Sequence, residues 1–252
     1  GTGGATMAAA MTPKMAGMKF LVEKVLHADD HGTVVLIGDQ GNLGKHYALK
    51  KIKREDPDTD DYYIERARAS WTACQEQKLS QALFVQYHDF NLKRKWLKVS
   101  EAELLMEYVA GKSLAEVEKL SIGQYVLVFE QLAQALALLH RRKVLHGDLK
   151  PGNVMISKSG QVKLLNYGLA PVQAKFPGQK VGDNQFAAPE QIKEKTIDEK
   201  TDLYAFGATM YRAVTGRAAN IGTRLMGEPF GRERVTAAFV VAGGIGLLKL
   251  AG

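Results

Sequence analysis

The chain has 252 residues, 46% hydrophobic and 24% charged, the balance of a soluble globular protein with one large domain or two small lobes. Its length can bury a substantial core without covalent staples, and its single cysteine, Cys74, excludes an internal disulfide and favours a reducing, cytoplasmic setting. The formal charge of +7 would suit nucleic acid, anionic lipid or an acidic protein, but the densest basic run, Lys93-Arg94-Lys95 beside Trp96 and Lys98, reads as the solvated rim of a hairpin, so no nucleic acid is expected.

Residues 1–18 are rich in Gly, Ala, Thr and Met without a long apolar core, and read as a disordered leader rather than a secretory signal. From Phe20 the pattern turns to strands. Phe20–Leu26 is followed by the turn residues Ala28-Asp29-Asp30-His31-Gly32 and then by the β-branched run Thr33–Ile37. A second turn, Gly38–Gly44, leads into a strand over His46–Ile52. Asp60 to Leu79 predicts a helix, because Ile64, Ala67, Trp71 and Cys74 recur every three or four residues. Phe84–Phe90 and Leu104–Val109 read as further strands.

Beyond Gly111 the pattern is mainly helical. Ser121 predicts the cap of a helix running to about His140, with Tyr125, Phe129, Leu132, Leu136 and Leu139 along one face. Val144–Leu145 and Val154–Ile156 flank a polar loop, Val162–Leu165 is a short strand, and Thr201–Thr215 is a buried helix. Ala110-Gly111 is the natural boundary, giving an N-terminal lobe over 19–109, a C-terminal lobe over 110–216 and an atypical segment over 217–252. Within that segment Val235–Gly252 is apolar and glycine-rich but interrupted by Lys249, so a membrane tether and a truncated or misread end both stay open.

The polar loop reads His146-Gly147-Asp148-Leu149-Lys150-Pro151-Gly152-Asn153-Val154, and resembles the protein-kinase catalytic loop H-R-D-L-K-P-x-N. Other segments fall in the family's order. Tyr47-Ala48-Leu49-Lys50 resembles V-A-I-K, Leu104–Val109 resembles the strand and hinge that hold adenine, and Asn166-Tyr167-Gly168 stands where D-F-G belongs. Ala188-Pro189-Glu190 matches A-P-E, and Asp202–Gly207 resembles the D-x-Y-x-x-G that opens a buried helix. The resemblance to eukaryotic-type Ser/Thr protein kinases runs from about Phe20 to Gly216. It implies an α+β, two-lobed fold, β-rich in the N-lobe and mainly helical in a C-lobe that looks incomplete at its C-terminus.

The resemblance also implies roles. Asp148 matches the residue that orients the substrate hydroxyl and takes its proton, and Lys150 the lysine that steadies the phosphoryl group. Lys50 matches the lysine on the α- and β-phosphates. Asn153 matches a magnesium ligand that also lies in the nucleotide site. Val34, Ala48, Leu104, Met106 and Met155 match the adenine walls, with Met106 as gatekeeper and Glu107 and Val109 in the hinge. The same residues also read as ordinary core, and the loop polar groups as internal wiring. ATP is the implied ligand, and a protein substrate or protein partner the implied second molecule.

Several positions depart from the family pattern. Asn166 replaces the D-F-G aspartate, leaving Asn153 and Asn166 as weak ligands for magnesium, which prefers charged oxygens. Removing one unit charge at about 4 Å with an effective dielectric near 20 weakens the attraction by roughly 4 kcal/mol. Borne wholly by the transition state, that is roughly a thousandfold in rate. Of the glycine-rich loop only Gly32 remains, and Asp29 and Asp30 bring negative charge towards a polyphosphate. Thr72 falls at the position of the glutamate that should pair with Lys50, with Gln75 or Glu76 one turn away and Glu65 a weaker candidate. Gly147 replaces the H-R-D arginine, and 169–190 holds no Ser, Thr or Tyr to phosphorylate. Asp183 stands where a threonine usually bridges to the catalytic loop, and Glu190 has no obvious arginine partner. These departures favour a pseudokinase, a scaffold or regulator with weak or no Mg-ATP binding. The alternative is an active, divergent kinase that moves the γ-phosphate of ATP to protein hydroxyls. Intact A-P-E and the Asp202 helix speak against small-molecule phosphotransfer.

Overall fold

A computed structural model describes residues 14–30, 32–176, 185–193 and 196–217. Its first half is one antiparallel sheet in the order β1-β2-β3-β5-β4, built from β1 (Phe20–Asp29), β2 (Gly32–Asp39), β3 (His46–Lys53), β4 (Tyr87–Lys95) and β5 (Lys98–Glu107). Alternation along the strands sorts side chains to two faces. Ala48 and Ile52 of β3 join Ala102, Leu104 and Met106 of β5 in the main core. Tyr47, Leu49, Leu105, Val35 and Ile37 face the other way. Met15 and Met18, assigned to the leader on sequence, pack against that outer face, and the Met15 amide donates to the Asp89 carboxylate at 2.8 Å. Residues 1–13, His31 and 218–252, with the possible tether at Val235–Gly252, lie outside the described residues.

The inner face of the sheet is covered by α1 (Pro57–Gln77). Asp56 caps it by accepting the Asp58 amide at 3.2 Å, and Pro57 presets the first turn. The buried Asp60 carboxylate accepts the Glu55 and Asp56 amides, both at 2.7 Å. Ile64, Ala67, Ser70, Ala73 and Cys74 form the inward stripe. Trp71 is half-buried, its ring tilted on Phe90 at 6.2 Å. The buried Cys74 sulfur receives the Tyr87 amide at 3.4 Å.

The run Phe84–Phe90, read as one strand, divides in two. Val85 donates to Leu164 and Leu164 donates to Leu83, at 3.0 and 2.9 Å, so residues 83–85 line the lower lobe while β4 begins at Tyr87. The lower lobe holds a small sheet, β6 (Gly111–Ser113), β7 (Val154–Ser157) and β8 (Val162–Leu164), against α2 (Ile122–Arg141). Ser121 and Gln124 form a reciprocal box at the start of α2, with bonds of 3.3 and 2.9 Å. Short helices α3 (Ala170–Lys175) and α4 (Pro189–Ile192) precede α5 (Glu199–Thr215), which packs Phe206 edge-on against Phe129 of α2 at 5.8 Å. Strands above and helices below are the α+β, two-lobed arrangement the resemblance implies.

Candidate nucleotide and catalytic site

The catalytic-loop segment is hung from α5. Asp202, fully buried, accepts the His146 and Gly147 amides at 2.8 and 2.9 Å and the His140 imidazole at 2.8 Å. A buried carboxylate needs such partners, and its position on the first turn of α5 ties that helix to the loop. A short 3-10 turn, Pro151–Asn153, then places Asn153 beside Asp148.

Three donors converge on one oxygen of Asp148. Arg66 Nη2 lies 2.5 Å from Oδ2, Asn153 Nδ2 lies 3.2 Å away and Lys150 Nζ 3.6 Å away. Arg66 projects from α1, and its Nη1 donates to the Tyr62 hydroxyl at 2.9 Å. Burial alone would raise the Asp148 pKa. Arg66 and Lys150 more than offset it, so the carboxyl titrates below its usual range. The same pairing raises the Arg66 pKa against its own burial.

The two asparagines are joined directly. Asn153 Nδ2 donates to the Asp148 carbonyl at 2.6 Å, which turns its Oδ1 outward. Asn166 Nδ2 donates to that oxygen at 2.8 Å. Flipping either amide would set oxygen against oxygen, so the network fixes both orientations. An aspartate at position 166 would face Asn153 Oδ1 with a second acceptor, and would need a cation between them. Tyr167 turns inward beneath α1, with rings of Phe84 and Tyr87 at 5.3 and 5.4 Å and its hydroxyl on the Val85 carbonyl at 2.9 Å. Ser70 of α1 donates to its carbonyl at 2.9 Å. Gly168 has φ +80°, and a Cβ there would lie 2.7 Å from Ala73 Cβ.

Lys50 lies on the cleft face of β3, opposite Leu104, and makes no ion pair among the described residues. Burial, followed by the nearby Arg66, pushes it down to about 8, against the smaller pull of Asp29 and Asp148. The expected helix carboxylate is not there. Glu65 pairs with Lys175 and Arg68 at 3.2 and 3.5 Å, Gln75 donates to the Tyr87 carbonyl at 2.6 Å, Glu76 is exposed, and Thr72 is neutral. The charged group that α1 presents to Lys50 is the cation Arg66. Sequence counting missed it, although Arg66, Ser70 and Cys74 recur every four residues, which puts a guanidinium on the buried stripe.

The residues matched to the adenine walls come together in part. Val34, Ala48, Leu104, Met106 and Val109 belong to one packed cluster. Met155 is half-buried on β7 opposite Ser113. The Glu107 carboxylate is bound to Lys163 and the Gln86 amide, and its own amide donates to the Gln86 carbonyl at 2.8 Å. Asp29 hydrogen-bonds His27 at 3.1 Å and lies within electrostatic reach of Lys50. Gly32, the remaining loop glycine, has a sheet role, since a Cβ there would lie 2.6 Å from the Lys51 carbonyl oxygen. Asp183 is outside the described residues.

The family model described as the protein kinase domain matches residues 24–224. The chain belongs to this family. Among curated relatives, a probable serine/threonine-protein kinase PknB of Bifidobacterium longum is 30% identical over 84% of this chain and 32% of its own length. Serine/threonine-protein kinase PknA of Mycobacterium tuberculosis is 33% identical over 69% of the chain and 42% of its own length. Serine/threonine-protein kinase pkn2 of Myxococcus xanthus is 32% identical over 79% of the chain and 24% of its own length. The kinase domain thus spans less than half the length of these relatives. Family membership implies ATP as ligand, usually with magnesium. Within this kinase domain Glu190, expected to want an arginine, instead accepts the Thr201 hydroxyl at 2.6 Å, from the first turn of α5.

Proposed function

We propose that this kinase domain is a pseudokinase that works through protein contacts, with weak or no binding of Mg-ATP. The observation that carries the reading is the Arg66–Asp148 ion pair. A general base must be free to take a proton, and its efficiency falls as its pKa falls. Here the carboxylate is buried and lowered, with Arg66, Asn153 and Lys150 all on the same oxygen. The residues fit adenine, because Val34, Ala48, Leu104 and Met106 form an apolar wall. They do not fit magnesium. The position-166 ligand carries no charge, the Asn153 oxygen is already occupied by Asn166, and the described residues hold no group of three or more His, Cys, Asp and Glu suited to a metal.

A second reading is an active kinase of divergent type, favoured by Lys50, Asp148, Lys150 and Asn153 gathered in one cleft. It would require Arg66 to withdraw before chemistry. Phosphate transfer from labelled ATP to a generic protein substrate, with magnesium and with manganese, separates the two. No transfer and no metal-dependent thermal shift is the expected result. Transfer that disappears in Asp148→Asn would overturn the pseudokinase reading.

A further inference from the structure

The hairpin between β4 and β5 breaks three local rules at one point. Trp96 and Leu97 form its tip, 99% and 91% exposed. Trp96 has φ +59°, a conformation that bulky side chains avoid. Immediately behind the tip Lys95 stands directly opposite Lys98, and like charges across a strand pair repel. A two-residue hairpin loop calls for a positive φ at its first position, but one suited to glycine or asparagine rather than tryptophan, and among the described residues no carboxylate pairs with Lys95 or Lys98. Local violations without internal compensation point to a role outside the molecule.

The charge pattern says what kind of partner relieves them. Lys93 is neutralised, with Glu101 and Glu103 at 3.0 and 2.6 Å. Among the described residues Arg94 meets only the Leu97 carbonyl, at 3.4 Å, with no carboxylate against it. Lys95 and Lys98 make no ion pair among the described residues. Three free cations, on both strands, therefore stand one step behind an apolar tip. A tryptophan suits the boundary between lipid headgroups and acyl chains, and cations beside it suit anionic headgroups. Nucleic acid would stack on Trp96, but Leu97 offers no face to a base. The geometry points to the β4–β5 tip as a docking point for an anionic lipid surface, with Trp96 and Leu97 entering the headgroup region and Arg94, Lys95 and Lys98 neutralising it. The inference is independent of the pseudokinase reading.

Flotation of the full chain with phosphatidylcholine vesicles, plain or containing phosphatidylserine, tests it. Binding is expected only to the anionic vesicles, weakening as salt rises. Each cation contributes about fivefold in partition, so Arg94→Gln with Lys95→Gln and Lys98→Gln should cost about a hundredfold. Trp96→Gly should lose binding and the blue-shifted emission that accompanies it. Its melting midpoint should stay level or rise, because glycine relieves the positive φ. Failure to float with anionic vesicles, or unchanged flotation of the triple variant, overturns the proposal. So does Trp96-dependent binding of an oligonucleotide or an acidic protein in the absence of vesicle binding.

Discussion

Asn166 does with one hydrogen bond what an aspartate does only through a cation. Its amide bridges to Asn153 at 2.8 Å without any metal. Asn166→Asp should therefore destabilise the metal-free protein by about 1–3 kcal/mol, the cost of setting a half-buried carboxylate against the buried Asn153 oxygen. Magnesium should recover part of that loss, and a thermal shift with magnesium in the variant but not in the parent checks it. Lys50 makes the opposite case, a cation held where charge is disfavoured. Its pKa falls from 10.5 to about 8 on folding, so the unfolded chain binds more protons between those values. Stability should rise with pH across that window. At pH 7 Lys50→Met should stabilise the fold by up to about 3 kcal/mol, and denaturant titrations at pH 7 and pH 10 measure both effects. Asp148, Lys150 and Asn153 were legible because they lie in one contiguous loop whose spacing is its geometry. Arg66 was not, because its role depends on how α1 is rotated against the cleft, which spacing to Lys50 does not fix.

At the scale of elements, the helices and inner strands were readable where caps and periodicity agree. The Ser121 cap set α2, and alternation set β3. The split of Phe84–Phe90 between two lobes was hidden, because a continuous apolar run does not say which partner each half pairs with. β6, α3 and α4 escaped for a simpler reason: three to six residues carry no period. The pairing of α4 with α5 was likewise invisible, since among the described residues Glu190 meets a hydroxyl and no arginine. Thr201 donates to Glu190 at 2.6 Å and also accepts the Asp198 amide at 3.2 Å, at the cap of α5. Thr201→Val should cost about 1–3 kcal/mol by leaving the Glu190 carboxylate short of a donor. Thr201→Ser should recover most of it, which chemical denaturation of the pair of variants would show.

Across the whole molecule, Arg66 and Asp148 tie a helix of the upper lobe to a loop of the lower one. Ser70 adds a second tie, to the Tyr167 carbonyl. Arg66→Ala strands a buried carboxylate and should cost about 3 kcal/mol. The loss should shrink when Asp148→Asn is also present, and a double-mutant cycle reads the coupling directly. Amide exchange in α1 and in 146–153 should quicken together in Arg66→Ala, because the two segments lose a shared anchor. Cys74 adds a means of timing this. It is the only thiol in 252 residues, and it sits buried on the inward stripe of α1, two turns from Arg66, with the Tyr87 amide on its sulfur. A thiol reagent cannot reach it while α1 is seated. Its labelling half-life is thus a clock for how often the helix lifts, readable without any ligand, substrate or added probe site.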